Sequence, residues 1–513
     1  MKNLISLFVL ISFMALITAC GEDEPALDSG ATISGVVASA SVDNLGTFGP
    51  LAITVEAADG LAALAITKDG IAYDAETFSG QTTAVYEFSY TAIEADEDEN
   101  ITFTFTVTDV DGDAETGILV LSVGAAIPNE IKTGLITSNE TWTADRIYEL
   151  SGRVIVDAGA TLTIEAGTII KGKEGDGSLA SALIIARGAK LMANGTAENP
   201  IIFTSILDDI EVGEKMGSNL TKNDNQKWGG VIILGNAPIS AESGDNEASI
   251  EGLPGDETFG LYGGSIADDN SGTITYVSIR HGGALIGEGN EINGLTLGGV
   301  GNGTVINHVE VFATLDDGIE CFGGTVNISN AMVFWQGDDG IDLDQNYSGT
   351  IDNWVVSHGD GVGTDEGLEI DGPEGTANDG LFTLSNGTVK SDGIAGSAAD
   401  LKSKAQGTLN NVKFEGYAGG ATLKIRASYQ NNCSEAKEDA FTHLTDANAT
   451  LVITSSEFGN VNVYTSSTDA NDSDCAVSDA DQTAAATAAT STSATGADMS
   501  VFSWTAASMS GDL

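Results

Sequence analysis

Three copies of one short motif gather the ionisable side chains of this 513-residue chain into a pattern with chemical potential. Asp316-Asp317-Gly318-Ile319-Glu320-Cys321 is followed by Asp338-Asp339-Gly340-Ile341-Asp342-Leu343 and then by Asp365-Glu366-Gly367-Leu368-Glu369-Ile370. The glycines are 22 and 27 residues apart, so the copies fall on successive turns of a repeating fold. Side chains of an extended strand alternate between its two faces. Ile319, Ile341 and Leu368 then form one inward column, and Cys321, Leu343 and Ile370 form the next. Glu320, Asp342 and Glu369 point outward, followed by Phe322, Asp344 and Asp371. Neighbouring strands lie about 4.8 Å apart, so the outward carboxylates repel unless protons, Ca²⁺ or cationic groups offset them.

Leu423-Lys424-Ile425-Arg426 has the same alternation and places Lys424 and Arg426 at the edge of this acidic band. Three readings are open. Asp and Glu beside Gly can cap backbone amides at tight turns and remain solvated. Asp342, Asp344, Glu369 and Asp371 could hold Ca²⁺ and staple the coils. Alternatively, Glu320, Asp342, Asp344, Glu369, Asp371, Lys424 and Arg426 form a glycan site. The last two are compatible. Cys321, on the inward side, reads as a small buried apolar group.

The elements that carry these residues form a repeat. Val154-Ile155-Val156-Asp157-Ala158-Gly159-Ala160-Thr161-Leu162 is echoed by Leu183-Ile184-Ile185-Ala186-Arg187-Gly188-Ala189-Lys190-Leu191. Gly303-Thr304-Val305, Gly324-Thr325-Val326 and Gly349-Thr350-Ile351 open later units, their threonines 21 and 25 residues apart. Each rung cannot bury its apolar face alone, whereas a stack can. The expected fold is all-β: a right-handed parallel β-helix over residues 126–513 with a C-terminal cap, in which Val501-Phe502-Ser503-Trp504 forms a closing strand or turn. A small immunoglobulin-like or cadherin-like β-sandwich is expected over residues 31–125, as a spacer, from its short alternating runs and regular turn clusters. Asp109, Asp111 and Asp113 in its last hairpin could bind Ca²⁺ or simply form an acidic turn.

Residues 1–19 have a short basic start and an apolar stretch too short to span a bilayer, the pattern of a signal peptide. Leu16-Ile17-Thr18-Ala19-Cys20 resembles a bacterial lipobox, which implies acylation of Cys20, with residues 20–30 as a lipidated tether. Gly21-Glu22-Asp23-Glu24 resembles the surface-export signal of Bacteroidota lipoproteins, which implies an outer-membrane protein facing the exterior. Cys433 and Cys475 could pair there. With 75 acidic against 20 basic residues and a net charge of −55, nucleic acid is an unsuitable partner, because binding it needs clustered Lys and Arg. The four histidines show no ligand spacing; His281 and His308 read as structural. No nucleotide loop or nucleophile elbow is present, so no organic cofactor is expected.

Two resemblances add to this. The run from Thr304 to Asp371, with its Asp-Asp-Gly-Ile motifs and Cys321-Phe322-Gly323-Gly324, resembles a family of β-helix surface lipoproteins of Gram-negative bacteria over most of residues 130–513. That likeness implies fold and location. Gly337-Asp338-Asp339 is similar, in part, to the paired-aspartate motif of polygalacturonase-type glycoside hydrolases. Asp316 lies about one coil before it, Ser357-His358-Gly359 about one coil after, and Lys424-Ile425-Arg426 reverses their Arg-Ile-Lys. The resemblance implies Asp339 as general acid, Asp338 and Asp316 as activators of water, His358 tuning the acid, and Lys424 or Arg426 holding a substrate carboxylate. Thr314-Leu315-Asp316 departs from that family's Asn-Thr-Asp, and the basic triplet lies further downstream. The expected function is therefore a surface lipoprotein whose β-helix binds extracellular carbohydrate or another surface ligand without catalysis. The alternatives are a glycan-degrading hydrolase or lyase, and a structural adhesion or surface-layer component.

Overall fold

Strands that are apolar at every second position can stack only where each coil covers the next, and this chain does so from Glu130 onward. The computed structural model describes residues 30–124, 129–242, 246–251, 253, 258–287, 290–359, 363–393, 397–467, 475 and 477–513. Cys20 and the segment before Gly30 lie outside these residues. Contacts divide the chain into two units, Met1–Ala126 and Ile127–Leu513. Among the described residues no helix is long and apolar enough to cross a membrane.

The first unit has two sheets around one core. Thr32–Ser34, Thr47–Glu56 and Thr83–Thr91 form one antiparallel sheet. Ser39–Val42, Ala114–Val123, Asn100–Asp109, Leu61–Lys68 and Ile71–Thr77 form the other, in that order. Alternation sends Ile101, Phe103, Phe105 and Val107 inward, where Phe88 meets Phe103 and Phe105 edge-on.

The second unit is a parallel β-helix whose coils have three faces. One face runs through Arg153–Val156, Ala182–Ile185, Val231–Leu234, Leu295–Gly298 and Ile319–Phe322, all in parallel register. It continues through Ile341–Asp344, Leu368–Ile370, Ser397–Leu401, Thr422–Ala427 and Asn462–Ser467. Its inward columns read Val154, Leu183, Val231, Leu295, Ile319, Ile341, Leu368 and Val156, Ile185, Ile233, Leu297, Cys321, Leu343, Ile370. All of these are buried in one continuous core, each large side chain contributing about 1.5–3 kcal/mol. The two columns expected around Cys321 are thus present.

The other two faces meet at a corner that needs a left-handed residue on each coil. Asn330, Asn353, Asn386 and Asn411 take φ of 53–57° there, a conformation that Asn tolerates better than most side chains. Their amides form a ladder: Asn330 donates to Asn307, Asn353 to Asn330 and Asn411 to Asn386, at 2.6–2.8 Å. Just past the corner, Trp354 is in register with Gly387 on the next coil, where a Cβ would come within 2.0 Å of the indole.

Of the closing strand or turn expected at the C-terminus, the chain forms a turn. Helix Asp479–Ala488 packs beside strand Asn462–Ser467, and the chain then returns along earlier coils. Thr495 bonds Asn411, Ala497 bonds Thr388, Asp498 bonds Asn353, and Ala506 bonds Glu310. Val501-Phe502-Ser503-Trp504 sits at a 3-10 turn, Met499–Phe502, and at the entry to helix Ala506–Ser510. Phe502, Ala506 and Ala507 cover Phe312, Phe334 and Val355 on the outside of the stack. The apolar residues read as a C-terminal cap thus shield an outward apolar patch on earlier coils. Cys433 and Cys475 are disulfide-bonded, with Cα atoms 5.5 Å apart.

Candidate functional site

The outward column of the first-named face changes character along the stack. Ile155, Ile184 and Ile232 are apolar and lie under a cover that includes Ile239, Ile250 and Tyr262. From Thr296 onward the same column reads Glu320, Asp342, Glu369, Asp400, Lys424 and Tyr464. The neighbouring outward column runs through Leu234, Gly298, Phe322 beneath Tyr262, and Asp344. The acidic band is therefore built by register alone: each motif delivers one carboxylate to the same height.

The band is far from solvated. Glu320, Asp342 and Asp400 are 5%, 8% and 2% exposed. Burial pushes the Glu320 and Asp342 carboxyls well above the usual carboxylate range, and neighbouring acids push in the same direction: Asp317 at Glu320, Asp344 at Asp342. Cations answer this charge at the downstream end. Lys402 pairs with Glu369 and, at 3.4 Å, with Asp371. Lys424 is 2.5 Å from Glu366 and 3.5 Å from Asp400, which Arg426 also engages at 2.6 Å. Burial lifts Glu366 to about 6, and Lys424 pulls it the other way.

The acids preceding each motif glycine do different work. Asn293 Oδ1 accepts the Asp317 amide at 3.2 Å, Asp317 Oδ1 accepts the Asp339 amide at 2.9 Å, and Asp339 Oδ1 accepts the Glu366 amide at 2.7 Å. Each side chain thus caps the backbone one coil further on. Burial, then the charge of Asp317, raises the Asp339 carboxyl to about 11. Carboxylate oxygens of Asp316, Asp317 and Asp338 lie within 4.8 Å of one another, as do those of Asp317, Glu320 and Asp342, and those of Asp339, Asp342 and Glu369.

Beside the band is a groove of about 580 Å³ lined by Asp344, Asp371, Glu374, Lys402, Lys404 and Asp439, among others. Burial raises the Asp344, Asp371 and Glu374 carboxyls; Asp371 and Glu374 add to the effect at Asp344, and Lys402 opposes it at Asp371. Gln345 Nε2 donates to Glu374 and Tyr262 Oη donates to Gln345, so one rim is fixed by a hydrogen-bonded relay.

The sequence-derived candidates are thereby separated. Asp316 and Asp338 converge, whereas Asp339 is buried as a backbone cap. His358 is fully buried, its Nε2 2.5 Å from Tyr417 Oη and its Nδ1 3.1 Å from Thr364. Of Asp342, Asp344, Glu369 and Asp371, the first and third converge with Asp339, while the second and fourth line the groove. Lys424 and Arg426 adjoin the band as their alternation implied. In the first unit, Asp109 Oδ1 accepts the amides of Asp111, Gly112 and Asp113 at 2.9–3.1 Å, closing its own hairpin. Asp400, Lys402, Lys404, Glu374 and Asp439 escaped sequence reasoning. Asp400 and Lys402 flank Leu401 in a strand without the Asp-Asp-Gly signature, so only alignment of Leu401 with Ile370 would have found them.

Comparison with known proteins adds the following. No curated protein matches the chain. Among solved structures, the catalytic unit of the thermostable GH87 α-1,3-glucanase from Streptomyces thermodiastaticus strain HF3-3 is 10% identical, with 85% of this chain and 89% of that chain covered and a TM-score of 0.23. That likeness is too distant to support any argument about the site. Residues 134–509 match the pectate-lyase-like β-helix domain, a span that holds the acidic band and nearly all of the coils and the C-terminal return, and the chain belongs to that family.

Proposed function

We propose that this chain is a surface lipoprotein, anchored through Cys20 and facing the exterior, whose β-helix wall holds an extracellular carbohydrate without cleaving it. The observation that carries the reading is the groove beside the acidic band. Its lining brings Asp344, Asp371, Glu374 and Asp439 together with Ser403, Ser428, Lys402 and Lys404, Lys402 being paired with Glu369 and Asp371, and such a mixture of acceptors and donors suits a hydroxyl-rich ligand. His358 is already engaged by Tyr417 and Thr364, and Asp339 by a backbone amide, which weighs against the catalytic set drawn from the paired-aspartate motif.

Glycan cleavage is the second reading, favoured by two observations. The family is pectate-lyase-like, and the groove contains acids raised by burial beside a lysine, an arrangement suited to proton transfer. A polysaccharide array probed with the full chain separates the two. Retention on one polysaccharide class with no new reducing ends or unsaturated sugars supports binding. Released oligosaccharide supports the enzyme, and absence of retention on every polysaccharide overturns both.

A further inference from the structure

The wall neutralises its downstream acids with its own cations, but upstream it does not. Glu366 and Asp400 share Lys424, and Glu369 has Lys402. Asp317, Glu320 and Asp342 form the corresponding cluster upstream, all three buried and with oxygens within 4.8 Å of one another. Among the described residues none of these three forms an ion pair. Asp317 Oδ1 takes the Asp339 amide and Glu320 Oε2 takes the Asn293 amide group. Asp342 is 8% exposed, and its Oδ1 is buried with no hydrogen-bond partner. A buried carboxylate without a cationic partner must take up a proton or a metal ion, because desolvating unpaired charge is too costly.

We propose that Asp317, Glu320 and Asp342 bind one Ca²⁺ ion, with Asp342 Oδ1 as a ligand, bridging two adjacent coils. The donors are all hard oxygens, without imidazole or thiolate, which selects Ca²⁺ over zinc or copper. The thiol of Cys321 lies in the core column. Ca²⁺ also accepts irregular coordination more readily than Mg²⁺. The overlapping cluster of Asp339, Asp342 and Glu369 is the weaker candidate, since Lys402 already holds Glu369. Occupancy by Ca²⁺ places in the upstream coil the positive charge that Lys424 supplies downstream. This site is structural and stands independently of any glycan in the groove.

The test is Ca²⁺ binding and thermal melting of the full chain after chelation. Addition of Ca²⁺ should restore about one ion per chain that survives gel filtration. At a hundredfold excess over the dissociation constant it should raise Tm by about 5 °C. Asp342→Asn and, separately, Glu320→Gln should abolish both effects, while Asp111→Asn in the hairpin of the first unit should abolish neither. Two wall variants guard against a folding failure in one, with circular dichroism as the check. No retained Ca²⁺ in the unsubstituted chain, or retention unchanged in both wall variants, would overturn the proposal.

Discussion

Lys424 approaches Glu366 to 2.5 Å across two coils of the stack, and its ammonium is shared with Asp400. Glu366 is almost fully buried, with one side-chain oxygen lacking any hydrogen-bond partner, so this ion pair controls whether its charge is tolerable. Removing one partner of a buried pair leaves the other uncompensated. Lys424→Met should therefore destabilise the second unit by about 3 kcal/mol, read from urea denaturation. The double variant with Glu366→Gln should recover most of that loss.

Glu310 fixes the returning C-terminus. It is fully buried and accepts the amides of Ala506 and Ala507 at 2.9 and 3.0 Å and the Ser278 hydroxyl at 2.6 Å. Glu310→Ala strands these donors, and should cost about 3 kcal/mol. Release of the segment bares Phe312, Phe334 and Val355, so dye binding to exposed apolar surface should increase in the variant well below its main melting transition.

Burial lowers His358 to about 4 against about 6.5 in an unfolded chain. The folded state thus resists a proton that the unfolded state accepts. This contribution to stability is complete above pH 6.5 and is lost as pH falls towards 4, on the order of 3 kcal/mol in total. His281, also lowered to about 4 by burial, acts in the same direction. In urea titrations at pH 5, proton uptake on unfolding should be smaller by about one in His358→Gln than in the parent chain.

The Cys433–Cys475 bond closes a sequence separation of 42 residues. In the chain-entropy account, a loop of that size is worth about 4 kcal/mol. Cys433→Ser with Cys475→Ser should lower the melting temperature, and a reductant should destabilise only the parent chain. Thiol counting under denaturing conditions gives the matching readout.

Much of the wall was legible from sequence because a period of two is unforgiving. Once Ile319, Ile341 and Leu368 are placed inward, Glu320, Asp342 and Glu369 can only point outward, and Lys424 and Arg426 follow from the same alternation. Two features were not legible. Asp317 and Asp339 precede the strands, where alternation does not apply, and their capping role appears only when one coil lies on the next. The apolar residues around Phe502 suggested a cap, yet what they cover, Phe312 and Phe334, is remote in sequence. A strand pattern that buries both faces does not reveal whether its outer face is covered by a returning segment.

The measurement that bears most directly on the central claim is retention of groove variants on the best-retained polysaccharide. Lys404→Ala removes an ammonium and Glu374→Gln an ionisable carboxyl from residues lining the groove, whereas Lys190→Ala alters an exposed lysine on another face of an early coil. Loss of one charged hydrogen bond is worth about 1.5–3 kcal/mol, tenfold or more in affinity. Carbohydrate binding in the groove predicts at least tenfold weaker retention for the two groove variants, unchanged retention for Lys190→Ala, and no product release by any of them. Equal retention by all three variants, or oligosaccharide release by the parent chain, would contradict it.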